Sequence, residues 1–84
     1  MHKIFITGGT GCIGSVTIYK LLQSKEVGKI VVASRSNNTD PLKLWLGDTL
    51  DSRLEFVTLD VADYKAIETV LEEVNPTHII HLGA

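Results

Sequence analysis

The sequence predicts a three-layer α/β/α fold built on a parallel sheet. Short β-branched apolar segments alternate with segments whose apolar residues recur at helical spacing, and successive strands begin about 25 residues apart. This alternation gives the element order β-α-β-α-β-α-β. With right-handed crossovers between the strands, the doubly wound arrangement has the strand order 3-2-1-4, and these elements make up half of such a domain. We therefore expect residues 1–84 to form one such partial domain.

The first strand is predicted over Lys3 to Thr7, because an apolar run without polar alternation is typical of a strand buried on both faces. It ends at a glycine cluster. A helix is predicted from Gly14 onward, since one face collects residues at helical spacing, namely Gly14, Thr17, Ile18, Leu21 and Leu22. The second strand, over Lys29 to Ser34, is another β-branched run.

The second half of the chain repeats this alternation. Asp40-Pro41 can begin a helix that runs to Leu50, although Gly47 interrupts it. The third strand is predicted over Leu54 to Leu59. Asp63 can cap the next helix, and Asn75-Pro76 ends it before a fourth strand. The buried stripe of that helix is Ile67, Val70, Leu71 and Val74, and the fourth strand is Thr77 to Leu82.

Composition excludes several classes of function. The chain has 8 basic and 10 acidic residues with no basic cluster, which disfavours nucleic acid as a partner. One cysteine, Cys12, cannot form an internal disulfide, and the histidines show no metal-ligand spacing. No apolar run approaches the roughly 18 residues of a membrane span, so no membrane partner is expected and the predicted location is cytoplasmic.

A glycine loop separates the first strand from the first helix. Gly9-x-Gly11-x-x-Gly14 has the spacing of a dinucleotide fingerprint, in which backbone N–H groups at a helix N-terminus bind a diphosphate without hindrance from side chains. A tight strand-to-helix turn is the alternative explanation. The nucleotide-triphosphate loop that ends in Gly-Lys-Ser/Thr is absent from the sequence, which disfavours a nucleoside triphosphatase.

Three motifs in order resemble a known family. These are Thr7-Gly8-x-x-Gly11-x-x-Gly14, Leu59-Asp60-Val61 and His81-Leu82-Gly83-Ala84. Together they resemble the N-terminal part of the Rossmann-like cofactor domain in extended short-chain dehydrogenase/reductases, the NAD-dependent epimerases and dehydratases. Many members of this family act on nucleotide sugars. The resemblance spans the whole chain, although the family usually has alanine where Gly83 stands.

The resemblance implies a set of cofactor-binding residues. It places Gly8, Gly11 and Gly14 at the pyrophosphate, with the amides of Cys12 and Ile13 as donors. It makes Asp60 an acceptor for the adenine amino group, with Val61 beside it, and places Leu82, Gly83 and Ala84 near the nicotinamide ribose. Structural roles remain open alternatives: a turn or cap for Asp60, packing for His81 and a small buried position for Cys12.

The end of the second strand bears on the choice between NAD and NADP. An NAD-selective site usually has a carboxylate there to accept from the ribose 2′-hydroxyl, whereas this chain has Ser34 and Arg35. Arg35 can form charge-assisted hydrogen bonds with a 2′-phosphate, and Ser34 adds a donor. The sequence therefore predicts that NADP is preferred over NAD.

The catalytic pair of the family is absent from these 84 residues. The family uses a tyrosine with a lysine four residues later, but Tyr19 is followed at that spacing by Gln23 and Tyr64 by Glu68. No catalytic residue is predicted, and the chain alone is expected to be inactive. The main hypothesis is the cofactor-binding segment of an epimerase, dehydratase or related reductase. The alternatives are an inert dinucleotide sensor and a self-assembling fragment.

The predicted strand order leaves the fourth strand at an edge of the sheet. An apolar, unpaired edge recruits another chain. The sequence therefore predicts a homodimer, or association with a complementary C-terminal part.

Overall fold

Four parallel strands form one sheet in the order β3-β2-β1-β4. The computed structural model describes residues 1–8, 12–35, 43–44, 47, 51–60 and 62–82. The strands are β1 (His2–Thr7), β2 (Val27–Ser34), β3 (Leu54–Thr58) and β4 (His78–His81), and the helices are α1 (Cys12–Leu21) and α2 (Tyr64–Val74). The predicted fold class and strand order are confirmed.

Element bounds differ from the prediction by one or two residues at most ends. The second strand begins at Val27 because pairing extends to the start of β1, where the His2 N–H donates to the Glu26 carbonyl at 2.6 Å. Most of the predicted helix over Pro41 to Leu50 lies outside the described residues. Within that range, Lys43 and Leu44 are described and are helical. Among the described residues, neither helix has the length and apolar character that crossing a membrane requires.

The sheet buries a separate apolar cluster on each face. Successive residues of a strand point to opposite faces, so Ile4 and Ile6 contact one cluster and Phe5 contacts the other. Helix α1 covers the first cluster with Ile18 and Leu21, and Leu22, directly after the helix, belongs to the same cluster; all three are residues of the predicted stripe. Helix α2 covers the second cluster with the four predicted residues Ile67, Val70, Leu71 and Val74, each of which keeps part of its surface exposed.

Both ends of α2 are capped by polar groups. The Asp63 Oδ1 accepts a hydrogen bond from the Ala66 N–H at 3.1 Å, which confirms Asp63 as the N-cap. At the other end, Asn75 adopts a left-handed conformation with φ 47°, and its N–H donates to the Leu71 carbonyl at 2.8 Å. The Asp63 cap fixes where α2 begins, and the Asn75 cap fixes where the chain leaves α2 towards β4.

One arginine ties together three segments at the amino end of the sheet. The Arg53 guanidinium donates to the carbonyls of Leu22, Ser24 and Val27 at 2.7–3.2 Å, which joins the end of α1 and the start of β2 to the start of β3. The Asp51 carboxylate accepts two hydrogen bonds from the same guanidinium, from Nη2 to Oδ2 at 2.9 Å and from Nε to Oδ1 at 3.1 Å. Those hydrogen bonds, with one from the Arg53 N–H, hold the pKa of the Asp51 carboxyl below its usual value.

The lowered pKa of Asp51 predicts a pH-dependent contribution to stability. A carboxyl whose pKa is lower in the folded state stabilises the fold above its unfolded pKa of about 3.9, and that contribution is lost as the pH falls through the folded value. The Asp51→Asn variant should therefore unfold at lower urea concentration than the wild type at pH 7, and the difference should shrink towards pH 3. Equal midpoints at pH 7, or a difference independent of pH, would contradict this assignment.

Candidate functional site

The carboxyl ends of all four strands lie along one edge of the sheet. Strand β1 lies in the interior, between β2 and β4, and the strand order reverses between β1 and β4. In open parallel sheets a crevice forms outside the carboxyl ends at this reversal, and it is where ligands bind. Among the described residues, the predicted site residues end a strand at this edge, follow a strand end there or lie in the first turn of α1.

The glycine loop begins at Gly8, directly after β1. Gly8 has φ 74°, a left-handed conformation that a side chain would disfavour, and its N–H donates to the Ala33 carbonyl of β2 at 3.3 Å. Gly14 is buried in the first turn of α1. Helix α1 begins at Cys12, and the neighbouring Ile13 is 74% exposed. Gly11 lies outside the described residues.

The ends of β2 and β3 bring together three predicted residues. The Leu59 N–H donates to the Ser34 carbonyl at 2.7 Å, which aligns the two strand ends. The Arg35 Nε then lies 3.8 Å from the Asp60 Oδ1. Both side chains are well exposed, Arg35 by 80% and Asp60 by 54%.

Asp60 also has the structural role that the sequence left open. Its Oδ1 accepts a hydrogen bond from the Ala62 N–H at 2.9 Å, which closes the turn that leads into α2. The carboxylate is thereby held at the strand end while more than half of the side chain stays exposed. A turn role and a ligand contact are compatible at this position. The neighbouring Val61 lies outside the described residues.

A hydrogen bond joins the ends of β1 and β4. Thr7 Oγ1 and His81 Nδ1 are 2.6 Å apart, and the Leu82 N–H donates to the Thr7 carbonyl at 3.0 Å. Thr7 is buried, whereas His81 and Leu82 are exposed. Sequence reasoning gave Thr7 no role of its own; the available signal was a polar residue that ends an apolar strand immediately before the glycine loop. Gly83 and Ala84 lie outside the described residues.

The amino edge of the sheet holds other polar groups that do not form a comparable site. His2 and His78 meet edge to face with ring centroids 4.7 Å apart, and no cluster of three metal-ligating side chains occurs within the described ranges. An open concavity of about 540 Å³ lies against Lys29, Arg53 and Glu55. Its Arg53 is already engaged with three carbonyls and Asp51, so it is not free to bind an anionic ligand.

Residues 5–84 match the family described as GDP-mannose 4,6 dehydratase. The chain belongs to this family. It is 28% identical over 81 residues to a UDP-glucose 4-epimerase of Dictyostelium discoideum, covering 96% of this chain and 23% of that protein. The predicted resemblance to the extended short-chain dehydrogenase/reductases is confirmed.

Solved structures of two enzymes are similar to the chain. The enzyme WbmG of Bordetella bronchiseptica, in complex with NAD, is 28% identical with a TM-score of 0.77, covering 99% of this chain and 25% of that one. A dTDP-glucose 4,6-dehydratase from Bacillus anthracis, also in complex with NAD, is 25% identical with a TM-score of 0.80, covering 100% and 27%. The chain therefore spans about a quarter of the length of these relatives.

Proposed function

We propose that residues 1–84 bind a dinucleotide, NAD or NADP, as the cofactor-binding segment of a nucleotide-sugar epimerase, dehydratase or related reductase. The observation that carries the proposal is the glycine loop at the reversal of strand order, with Gly8 left-handed and Gly14 buried in the first turn of α1. The two NAD complexes of similar enzymes support it.

The diphosphate would lie against the N-terminus of α1. Free N–H groups and the helix dipole favour an anion there, and a backbone without side chains allows close approach. Asp60 would accept a hydrogen bond from adenine while it keeps its turn contact with Ala62. The full proposed set is Gly8, Gly11, Cys12, Ile13 and Gly14 for the diphosphate, Ser34, Arg35, Asp60 and Val61 for the adenosine, and Leu82, Gly83 and Ala84 for the nicotinamide ribose.

The proposed preference for NADP rests on Arg35. The Arg35 side chain is exposed, and an ion pair between exposed groups contributes only about 0 to 1 kcal/mol. Arg35 therefore loses little free energy when it leaves Asp60 to bind a phosphate. A phosphate oxygen would accept charge-assisted hydrogen bonds from the guanidinium. A carboxylate at this position would instead repel the 2′-phosphate.

Cofactor binding rather than catalysis is the role that these residues can supply. When bound, the nicotinamide ring carries the hydride of the family's reaction. The Tyr-x-x-x-Lys pair is absent from these 84 residues, and Tyr64 is 81% exposed at the start of α2. A dinucleotide sensor without catalysis is the second candidate. The cytoplasmic location stays a prediction.

A second copy of the chain is the proposed partner at β4. Within the described residues β4 pairs with β1 alone, and its residue Ile79 is 58% exposed. The other edge strand, β3, carries Glu55, which forms an ion pair at 2.7 Å with Lys29 of the interior strand β2, and charges on an edge strand discourage edge-to-edge pairing. Antiparallel pairing of two β4 strands about a two-fold axis would extend the sheet and close at a dimer. A complementary C-terminal part is the alternative occupant of the same edge.

Replacing Gly8 tests the glycine loop. A Cβ at a left-handed residue costs about 1 to 2 kcal/mol of stability, and the same cost applies to Gly47, which has φ 82° and is exposed. Gly8→Ala and Gly47→Ala should therefore lose a similar amount of stability. Only Gly8→Ala should also weaken NAD binding, by about tenfold or more, as measured by calorimetric titration. NAD affinity unchanged in Gly8→Ala would remove the loop from the site.

Replacing Arg35 tests the choice of cofactor. The wild type should bind NADP more tightly than NAD, and Arg35→Asp should lose about tenfold or more in NADP affinity, because charge-assisted hydrogen bonds are replaced by repulsion. The control is Lys25→Asp, the same change of charge at an exposed turn at the other end of the sheet. Equal NADP affinity in Arg35→Asp and the wild type would exclude the proposed contact.

Charging β4 tests the proposed dimer. Chromatography with light scattering should show a dimer for the wild type and a monomer for Ile79→Lys, since a charged side chain on an edge strand discourages edge-to-edge pairing. Thr58→Lys places the same charge at an exposed position of strand β3, and this variant should remain dimeric. A wild type that is monomeric at micromolar concentration and above would contradict the proposal.

A further inference from the structure

We infer that His81 is a positioning residue that fixes the start of the glycine loop through its hydrogen bond to Thr7. The inference rests on the proposed function, because it assigns to a residue outside the glycine motif a part in presenting that motif to a dinucleotide. Its basis is the contact of 2.6 Å between His81 Nδ1 and Thr7 Oγ1.

The position of this contact in the sheet is what gives it a role. Thr7 and His81 are register partners at the last paired positions of β1 and β4, which are the two strands that flank the reversal of strand order. Register partners in a parallel sheet point to the same face, so the two side chains meet across the inter-strand gap. The hydrogen bond therefore joins the two strands at the point where they meet the ligand crevice.

Thr7 is held on both sides of its backbone. Its carbonyl accepts from the Leu82 N–H at 3.0 Å, and the next residue, Gly8, donates its N–H to the Ala33 carbonyl at 3.3 Å. The side-chain bond to His81 adds a third restraint, and Thr7 is only 5% exposed, so its hydroxyl has little room to turn elsewhere. These restraints together set the direction in which the chain leaves β1 and enters its left-handed turn at Gly8.

The same strand contains a matched control. His78 lies at the amino end of β4, and its Nδ1 contacts the hydroxyl of the adjacent Thr77 at 2.9 Å. Both histidines are exposed and each contacts a threonine hydroxyl, but only His81 connects two strands beside the loop. Replacing either histidine with phenylalanine keeps an aromatic ring and removes both ring nitrogens, including the Nδ1 that contacts the threonine.

The experiment combines binding and spectroscopy on the ¹⁵N-labelled chain. His81→Phe and Thr7→Val should each weaken NAD binding by up to about fivefold, the usual value of one hydrogen bond, because NAD binding must then supply the restraint that this bond gives the loop, and the double variant should weaken it no further. His81→Asn, whose amide can reach the Thr7 hydroxyl, should restore affinity to within about twofold of the wild type. His78→Phe should bind as the wild type does. Without ligand, the Gly8 amide resonance should move in His81→Phe and Thr7→Val but not in His78→Phe.

Three outcomes would overturn the inference: losses that multiply in the double variant, an equal loss in His78→Phe, or a Gly8 resonance that does not respond to His81→Phe. A wild type that binds neither NAD nor NADP would contradict the proposed function instead. In that case the Gly8 resonance alone decides whether His81 positions the loop, because it is measured without ligand.

Discussion

The pairing of β1 with a strand on each side is the constraint on which the rest of the structure depends. Because β2 and β4 both run parallel to β1, each connection must cross over a face of the sheet, and the two faces each receive a helix. Phe5 and Ile6 are fully enclosed on opposite faces as a result. The carboxyl end of β1 is thereby held in the middle of the sheet edge, and the glycine loop starts from that point.

The charged side chains at the two ends of the strands differ in how fully their hydrogen-bonding groups are engaged. At the amino edge, Arg53 donates to carbonyls from three different positions and its charge is balanced by Asp51, so its hydrogen-bonding groups serve the fold. At the carboxyl edge, Arg35 and Asp60 touch only loosely at 3.8 Å and keep most of their surface exposed. Exposed polar groups on a rigid edge are available to a ligand, whereas those around Arg53 are not.

The sequence was sufficient for the features that depend on local pattern. Apolar runs identified the four strands, helical spacing identified the faces of α1 and α2, and Asp63 was identifiable as a cap from its position before a periodic segment. The contacts of Arg53 could not be predicted, because its partners lie 26–31 residues away and are backbone carbonyls, which leave no mark on residue type. The contact between Thr7 and His81 spans 74 residues and depends on the register of two strands. The site residues themselves came from motif and position, and their contacts with a ligand remain proposals.

A titration of the ¹⁵N-labelled chain with NAD, followed by amide chemical shifts, tests most directly whether the carboxyl edge binds the dinucleotide. If it does, the resonances that move belong to that edge, including Gly8, Gly14, Asp60 and Leu82, while those of Gly28, Arg53 and Glu55 at the amino edge stay in place. Movement centred on the concavity of about 540 Å³ at the amino edge, with Gly8 and Gly14 unaffected, would contradict it.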